Sequence, residues 1–195
     1  MEITREQAER HNALTKAAST MVEKEMILSG SAPTKLPGFF LRRRLGKAIQ
    51  LYEQALEINP EGWSSMWVLG KIHQRLGDQA TAYTWFAKAH QLKPSQPDVA
   101  REAGLAALDC GHIEAAVHLC LAAVKLSPDD FGLQSNLALA YLFAGDNPHA
   151  DECARAAVQG APDDPIAKAV FDYVREVSAG IKQRPARLSD VFPVR

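Results

Sequence analysis

The 195-residue chain has almost no net charge: 22 lysines and arginines stand against 23 aspartates and glutamates, leaving −1 at neutral pH. With a pI near 6.6, there is no basic excess to draw the chain onto a nucleic acid. The one dense basic run, Arg42-Arg43-Arg44, reads as a solvated turn or helix start. Long apolar runs are missing as well. None approaches the ~18 residues that a membrane span needs, so no membrane partner is expected. The opening MEITREQAERHN is charged and polar where the apolar core of a secretion signal would follow. There are 3 cysteines; an odd count without a secretion signal points to free thiols in a reducing compartment, and a cytoplasmic location is expected.

Catalytic signatures are absent too. The chain has no G-x-S-x-G, no P-loop, no G-x-G-x-x-G and no H-E-x-x-H. No nucleophile, base and orienting group can be assembled from the residues that remain, so neither an enzyme nor a cofactor is expected. The carboxylate pairs Asp129-Asp130 and Asp163-Asp164 recur just ahead of a new helix. They read as helix N-caps rather than as acid–base pairs.

What is present is a soluble composition, 47% apolar and 23% charged, arranged with a strict period. Pro60, Pro94, Pro128 and Pro162 are each 34 residues apart. Gly77, Gly111 and Gly145 keep the same spacing, as do Ala48, Ala82, Ala116 and Ala150, and Ala55, Ala89, Ala123 and Ala157. Each unit reads as two helices. In the clearest one, a helix from about Ser64 to Leu76 ends at Gly77-Asp78, because glycine takes the left-handed turn conformation at low steric cost. A second helix from about Gln79 to Leu92 is stopped by Pro94. Small residues (Gly70, Gly104, Ala138 and the two alanine ladders) mark where helices approach closely. A single hairpin of this kind cannot bury its own apolar face, so neighbours must stack.

This pattern resembles the tetratricopeptide repeat family, on Leu69-Gly70, Ala82, Phe86, Ala89 and Pro94. The resemblance covers residues 63–96, 97–130 and 131–164, plus a second helix at 43–62. The middle repeat departs with Ala103 and Cys120, and the last with Ala138 and Ala154, although Tyr141 fits. It implies an all-α fold, a right-handed superhelix of antiparallel helix pairs.

The ends are less regular. Residues 165–180 read as a capping helix, with Asp164 as N-cap and Pro165 in the first turn. The tail 181–195 is polar, proline-broken and expected to be flexible. Thr4-Arg5-Glu6-Gln7 fits a capping box opening a helix within residues 1–28, which could run to about Leu28. Two readings stay open for it. It is either the first helix of an interrupted repeat, with Ala18 as the partner of Gly70, or an independent helix followed by a linker. In the first case an insertion of about 18 residues, roughly 29–42, is long enough to be notable.

The stretch CGHIEAAVHLC, Cys110 to Cys120, imitates a metal site. Zinc needs four ligands converging on one point. The register places Cys120 with Phe86 in the core, Cys110 with Leu76, His112 with Asp78 in the turn and His118 with Thr84 on the polar face. Residues two apart on a helix do not face each other, so no metal is expected here. His149 and Cys153, four apart, are only half of a site.

In the resembled family the first helices line a groove that takes a partner peptide. Carried onto this chain, the groove positions are Trp67, Lys71, Arg101, Leu105, Leu108, Asn136, Leu139, Leu142 and Phe143. The apolar members would form a binding strip, unless they pack on neighbouring helices or are covered by Phe39-Phe40 or Val191-Phe192. The family's two-carboxylate clamp for acidic chaperone tails does not fit, because Glu102 and Gly132 stand where its asparagine and lysine belong. The expected function is a non-enzymatic interaction scaffold for a protein or peptide. Homodimerisation through the N-terminal helix or the insertion is a further expectation. Two alternatives are a chaperone like those of type III secretion and a regulatory or targeting domain of a larger enzyme or complex.

Overall fold

A computed structural model describes residues 3–25 and 36–192 of the chain. The expected run of the first helix to Leu28 and the insertion up to residue 35 lie outside them. No strand occurs among the described residues, and no helix among them is long and apolar enough to cross a membrane. The chain divides into two compact units, Met1–Lys93 and Pro94–Arg195.

The first unit holds α1 (Arg5–Val22), a 3₁₀ turn (Glu23–Glu25), α2 (Phe39–Ile58), α3 (Trp63–Leu76) and α4 (Gln79–Leu92). Thr4 caps α1 in a reciprocal box with Gln7: the Gln7 amide donates to Thr4 Oγ1 at 3.2 Å, and the Thr4 amide to Gln7 Oε1 at 2.9 Å. This satisfies two donors that a helix start leaves open. Helix α1 packs along α2 as α3 packs along α4. The core between them combines Ala18, Val22, Leu45, Ala48 and Tyr52 with Leu69 and Ile72. Tyr52 also hydrogen-bonds the Ser19 side chain, and burial holds its hydroxyl above the usual tyrosine range. Gly70 lets the Phe86 ring rest on the backbone of α3, since a Cβ there would fall 2.5 Å from the ring.

The second unit holds α5 (Pro97–Asp109), α6 (Ile113–Leu126), α7 (Phe131–Ala144), α8 (Asn147–Gly160), α9 (Pro165–Ser178) and the short α10 (Leu188–Val191). Consecutive helices pack in pairs, and the alternate pairs α5–α7 and α7–α9 also touch. First helices therefore form one row within this unit. Proline opens α5, α8 and α9 near their first position, where its missing N–H costs nothing. Asp130, Asp146 and Asp164 each accept an amide of the following turn, at 3.0, 3.3 and 2.9 Å. Asp78 does the same for α4 through the Thr81 amide at 3.1 Å. The hairpin turns at Gly77, Gly111 and Gly145 have φ of 84°, 76° and 83°, the left-handed region that disfavours other residues.

Of the tail expected to be flexible, residues 193–195 lie outside the described residues, and the part up to Phe192 is folded against the second unit. It turns back onto α9, forms α10, and buries Pro185 and Val191. Its polar composition hid this, because two apolar anchors six residues apart leave no periodic signal.

Candidate functional site

The expected groove positions belong to the first helices of both units. On α3 of the first unit, Trp67 is partly exposed, while Lys71 is only 5% exposed. The Trp67 indole N–H is sealed from solvent and meets no acceptor among the described residues.

In the second unit the row of α5, α7 and α9 divides along its length. Leu105, Leu108, Leu139, Leu142 and Phe143 are buried, at 7, 1, 1, 0 and 8% exposure. They pack on the chain itself and present no apolar strip to a partner. The reason lies in the packing: each first helix has neighbours on two sides, so even residues off the main hairpin interface are enclosed toward its C-terminal half. Phe39 and Phe40, considered above as a cover for such a strip, are among the most exposed apolar residues, at 73 and 85%. Their rings meet edge to face, with centroids 5.6 Å apart.

The accessible groove positions of α5 and α7 carry no large apolar side chain and lie toward the helix N-termini. On α5 and α7 the expected groove face keeps Asp98 and Arg101, with Gly132 and Asn136, accessible. The Arg101 guanidinium is held from two sides, by Asp98 at 2.9 Å and by Glu102 at 3.3 Å. Glu102 itself is fully buried. A carboxylate in a protein interior is costly unless paired, so this one fixes the direction of the guanidinium beside it. Sequence reasoning included Arg101 but did not foresee the buried carboxylate behind it. An acidic residue inside an otherwise apolar helix, REAGLAAL, is the signal that could have found it.

The residues of the metal-like stretch separate. Cys120 is buried, and that burial pushes its thiol up to about 12. His118, two residues earlier on α6, is exposed, as is His112 at the helix start. His149 is already engaged: its Nδ1 lies 2.7 Å from an Asp146 oxygen, and its ring stacks on Tyr141. Burial, with Glu152 and Asp146 nearby, pushes the Cys153 thiol up to about 11. No group of three potential metal ligands converges among the described residues.

Comparison with known proteins matches this geometry to one family. The family described as "Tetratricopeptide repeat" matches residues 41–97 and 101–167, more than half of the chain. A curated relative, Protein FlbA of Caulobacter vibrioides, is 33% identical over 93 residues. That match covers 46% of this chain and 15% of the relative, so the chain corresponds to a small part of that protein. Among solved structures, MamA from Desulfovibrio magneticus RS-1 is similar at a TM-score of 0.68 and 18% identity, over 93% of this chain and 94% of that one. YrrB, described as a protein of the same repeat with an unusual peptide-binding site, is similar at a TM-score of 0.64 and 15% identity, over 93% of each chain. The first such domain of Spaghetti (RPAP3), solved with an HSP90 peptide, is similar at 0.55 and 15% identity, over 60% of this chain and 93% of that one. At these identities the solved structures bear on the fold.

Proposed function

Because the chain belongs to the tetratricopeptide repeat family, whose fold serves protein–protein interaction, we propose that it is a non-enzymatic adaptor that holds a partner peptide or helix against the accessible face of α5 and α7. One observation carries this reading: the Arg101 guanidinium, set between Asp98 and a fully buried Glu102. A preoriented guanidinium loses little freedom when it meets a carboxylate or carbonyl of a partner. Asn136 on the adjacent helix adds a donor and an acceptor for a peptide backbone. Peptide binding by YrrB and by the Spaghetti domain, as their descriptions state, supports the same class of ligand.

The test is a pull-down with the full chain against Arg101→Ala plus Asn136→Ala. Arg101→Ala takes the guanidinium from the buried Glu102 carboxylate, so the melting temperature should fall by several degrees. Circular dichroism verifies that the variant is still folded at the assay temperature, where the partner should be lost. An unchanged set of captured proteins, with the fold intact, would sink the proposal. Substituting Leu105 or Leu139 is unsuitable, since both are buried and their loss would report on folding.

A second reading is supported by the FlbA match, which occupies only 15% of that protein. In it the repeats serve as a partner-capturing module for a larger protein or complex. A catalytic activity co-purifying with the captured partner would favour it; a lone scaffold protein would count against it. Homodimerisation also remains a proposal. The exposed Phe39–Phe40 pair, with exposed Leu36 three residues earlier in the chain, is the kind of apolar surface that a second copy would cover.

A further inference from the structure

The segment from Ile181 to Phe192 behaves less like core than like a bound peptide. It leaves α9 through Gly180, whose φ of 71° reverses the chain, and the amides of Ile181 and Lys182 donate to the Glu176 carbonyl at 2.8 and 3.1 Å. From there it is held at points. The Lys182 ammonium pairs with Glu176 and lies 4.7 Å from the Tyr173 ring centroid. The Tyr173 hydroxyl donates to the Gln183 carbonyl at 3.5 Å. Tyr173 is in the 34-residue register of Leu139 and Leu105, so this contact is made by a groove position of the family.

Arg184 then reaches the turn that ends α7, where a Cβ on Gly145 would fall 2.5 Å from its Nη1. Helix α7 has no basic side chain in its last turn. The Tyr141 and Leu142 carbonyls already accept the Asp146 and Gly145 amides, but the negative dipole end of α7 still favours a cation, and the Arg184 guanidinium lies against the turn there. Pro185 and Val191 are the two buried residues of the segment. Asp190 closes the loop by accepting the amides of Ala186 and Arg187 at 2.8 and 2.9 Å.

The fold does not require this cover. The equivalent turn at Gly111 has no atom within 4 Å of its Cβ position, yet it keeps the same backbone conformation. We propose that residues 181–192 are an internal ligand, and that the ends of α7 and α9 form a binding site for a basic, proline-containing peptide. A partner that replaces the segment must bring what the segment brings. It needs one cation for the Glu176–Tyr173 pocket and a guanidinium two residues on for the end of α7. A proline follows at once, and an aliphatic side chain six residues later. The segment competes from within the same chain at an effective concentration on the order of millimolar, so the site is closed to weak ligands.

The inference rests on the adaptor reading and names a peptide class for the second unit. Its test uses a fluorescein-labelled peptide with the sequence of residues 181–192, titrated into the full chain by fluorescence anisotropy. The proteins are wild type, Arg184→Glu plus Val191→Asp, and the milder Val191→Ser, with amide exchange reporting release of the segment and circular dichroism the fold. The released variants should bind the peptide at least about tenfold more tightly than wild type, because tethered competition is removed. A peptide carrying Lys182→Glu and Arg184→Glu should lose that binding. Release of the segment without any gain in peptide affinity would overturn the proposal and make the segment a simple end cap. Failure of all substitutions to release it would overturn it equally, since Arg184 and Val191 would not be the anchors. Neither outcome touches partner capture through Arg101 and Asn136, which the pull-down reads separately.

Discussion

The repeat register puts Cys120 where Phe86 and Tyr52 stand in other repeats. In the first unit the aromatic is accommodated because the Phe86 ring lies directly on Gly70. In the second, a Cβ on Gly104 would fall 2.7 Å from Cys120 Sγ and 3.3 Å from the Cys120 backbone nitrogen. The backbone of α6 itself therefore occupies the approach, and a ring has nowhere to go. Cys120→Phe, although it restores the family's residue, should destabilise the chain by about 1–3 kcal/mol through overpacking. A thermal melt checks this: the midpoint should fall by several degrees, and an unchanged or raised midpoint would show that the site has room. The register located the position from sequence. The size of the space depends on how closely two backbones pass, which no residue code states.

At the scale of the element, each helix is bounded by side chains that satisfy its loose ends. Asp78 illustrates the energetics. Hydrogen bonds from Thr81, first from its side chain and then from its amide, with a smaller share from His73, hold its carboxyl below the usual carboxylate range. A depressed folded-state pKa stabilises above the unfolded value of about 4 and is lost as pH falls through the folded value. Asp78→Ala should therefore cost about 1 kcal/mol near neutral pH, with a smaller penalty below about pH 4. Melting curves of both proteins across pH 3–7 test it, and a penalty independent of pH would mean that the charge plays no part. The caps at Asp130 and Asp164 were legible because they precede helices at fixed points of the repeat, whereas Asp78 read only as a turn residue. The segment around α10 was not legible. Its two buried anchors, Pro185 and Val191, are too few and too far apart to generate a period, and its contacts are made with α9 and the end of α7.

For the whole molecule, the surface outside the groove is informative. Leu36, Phe39 and Phe40 are 56, 73 and 85% exposed, an arrangement that water disfavours and a second copy would cover. Sedimentation velocity at tens of micromolar should show a dimer for the full chain and a monomer for Phe39→Glu plus Phe40→Glu. A monomeric wild type, or an unaffected dimer, would remove this surface from the account.

The sequence by itself determined the repeats. A 34-residue spacing of glycine, alanine and proline dictates where helices turn, touch and stop, because those residue types act through backbone conformation and close approach. It also determined the family. Tertiary structure alone decided which of the expected groove positions are exposed. Periodicity reports the face of a helix but not how many neighbours surround that face. Leu105, Leu108, Leu139 and Leu142 therefore read as a binding strip and fold as core, while a buried glutamate left Arg101 as the oriented group at the surface.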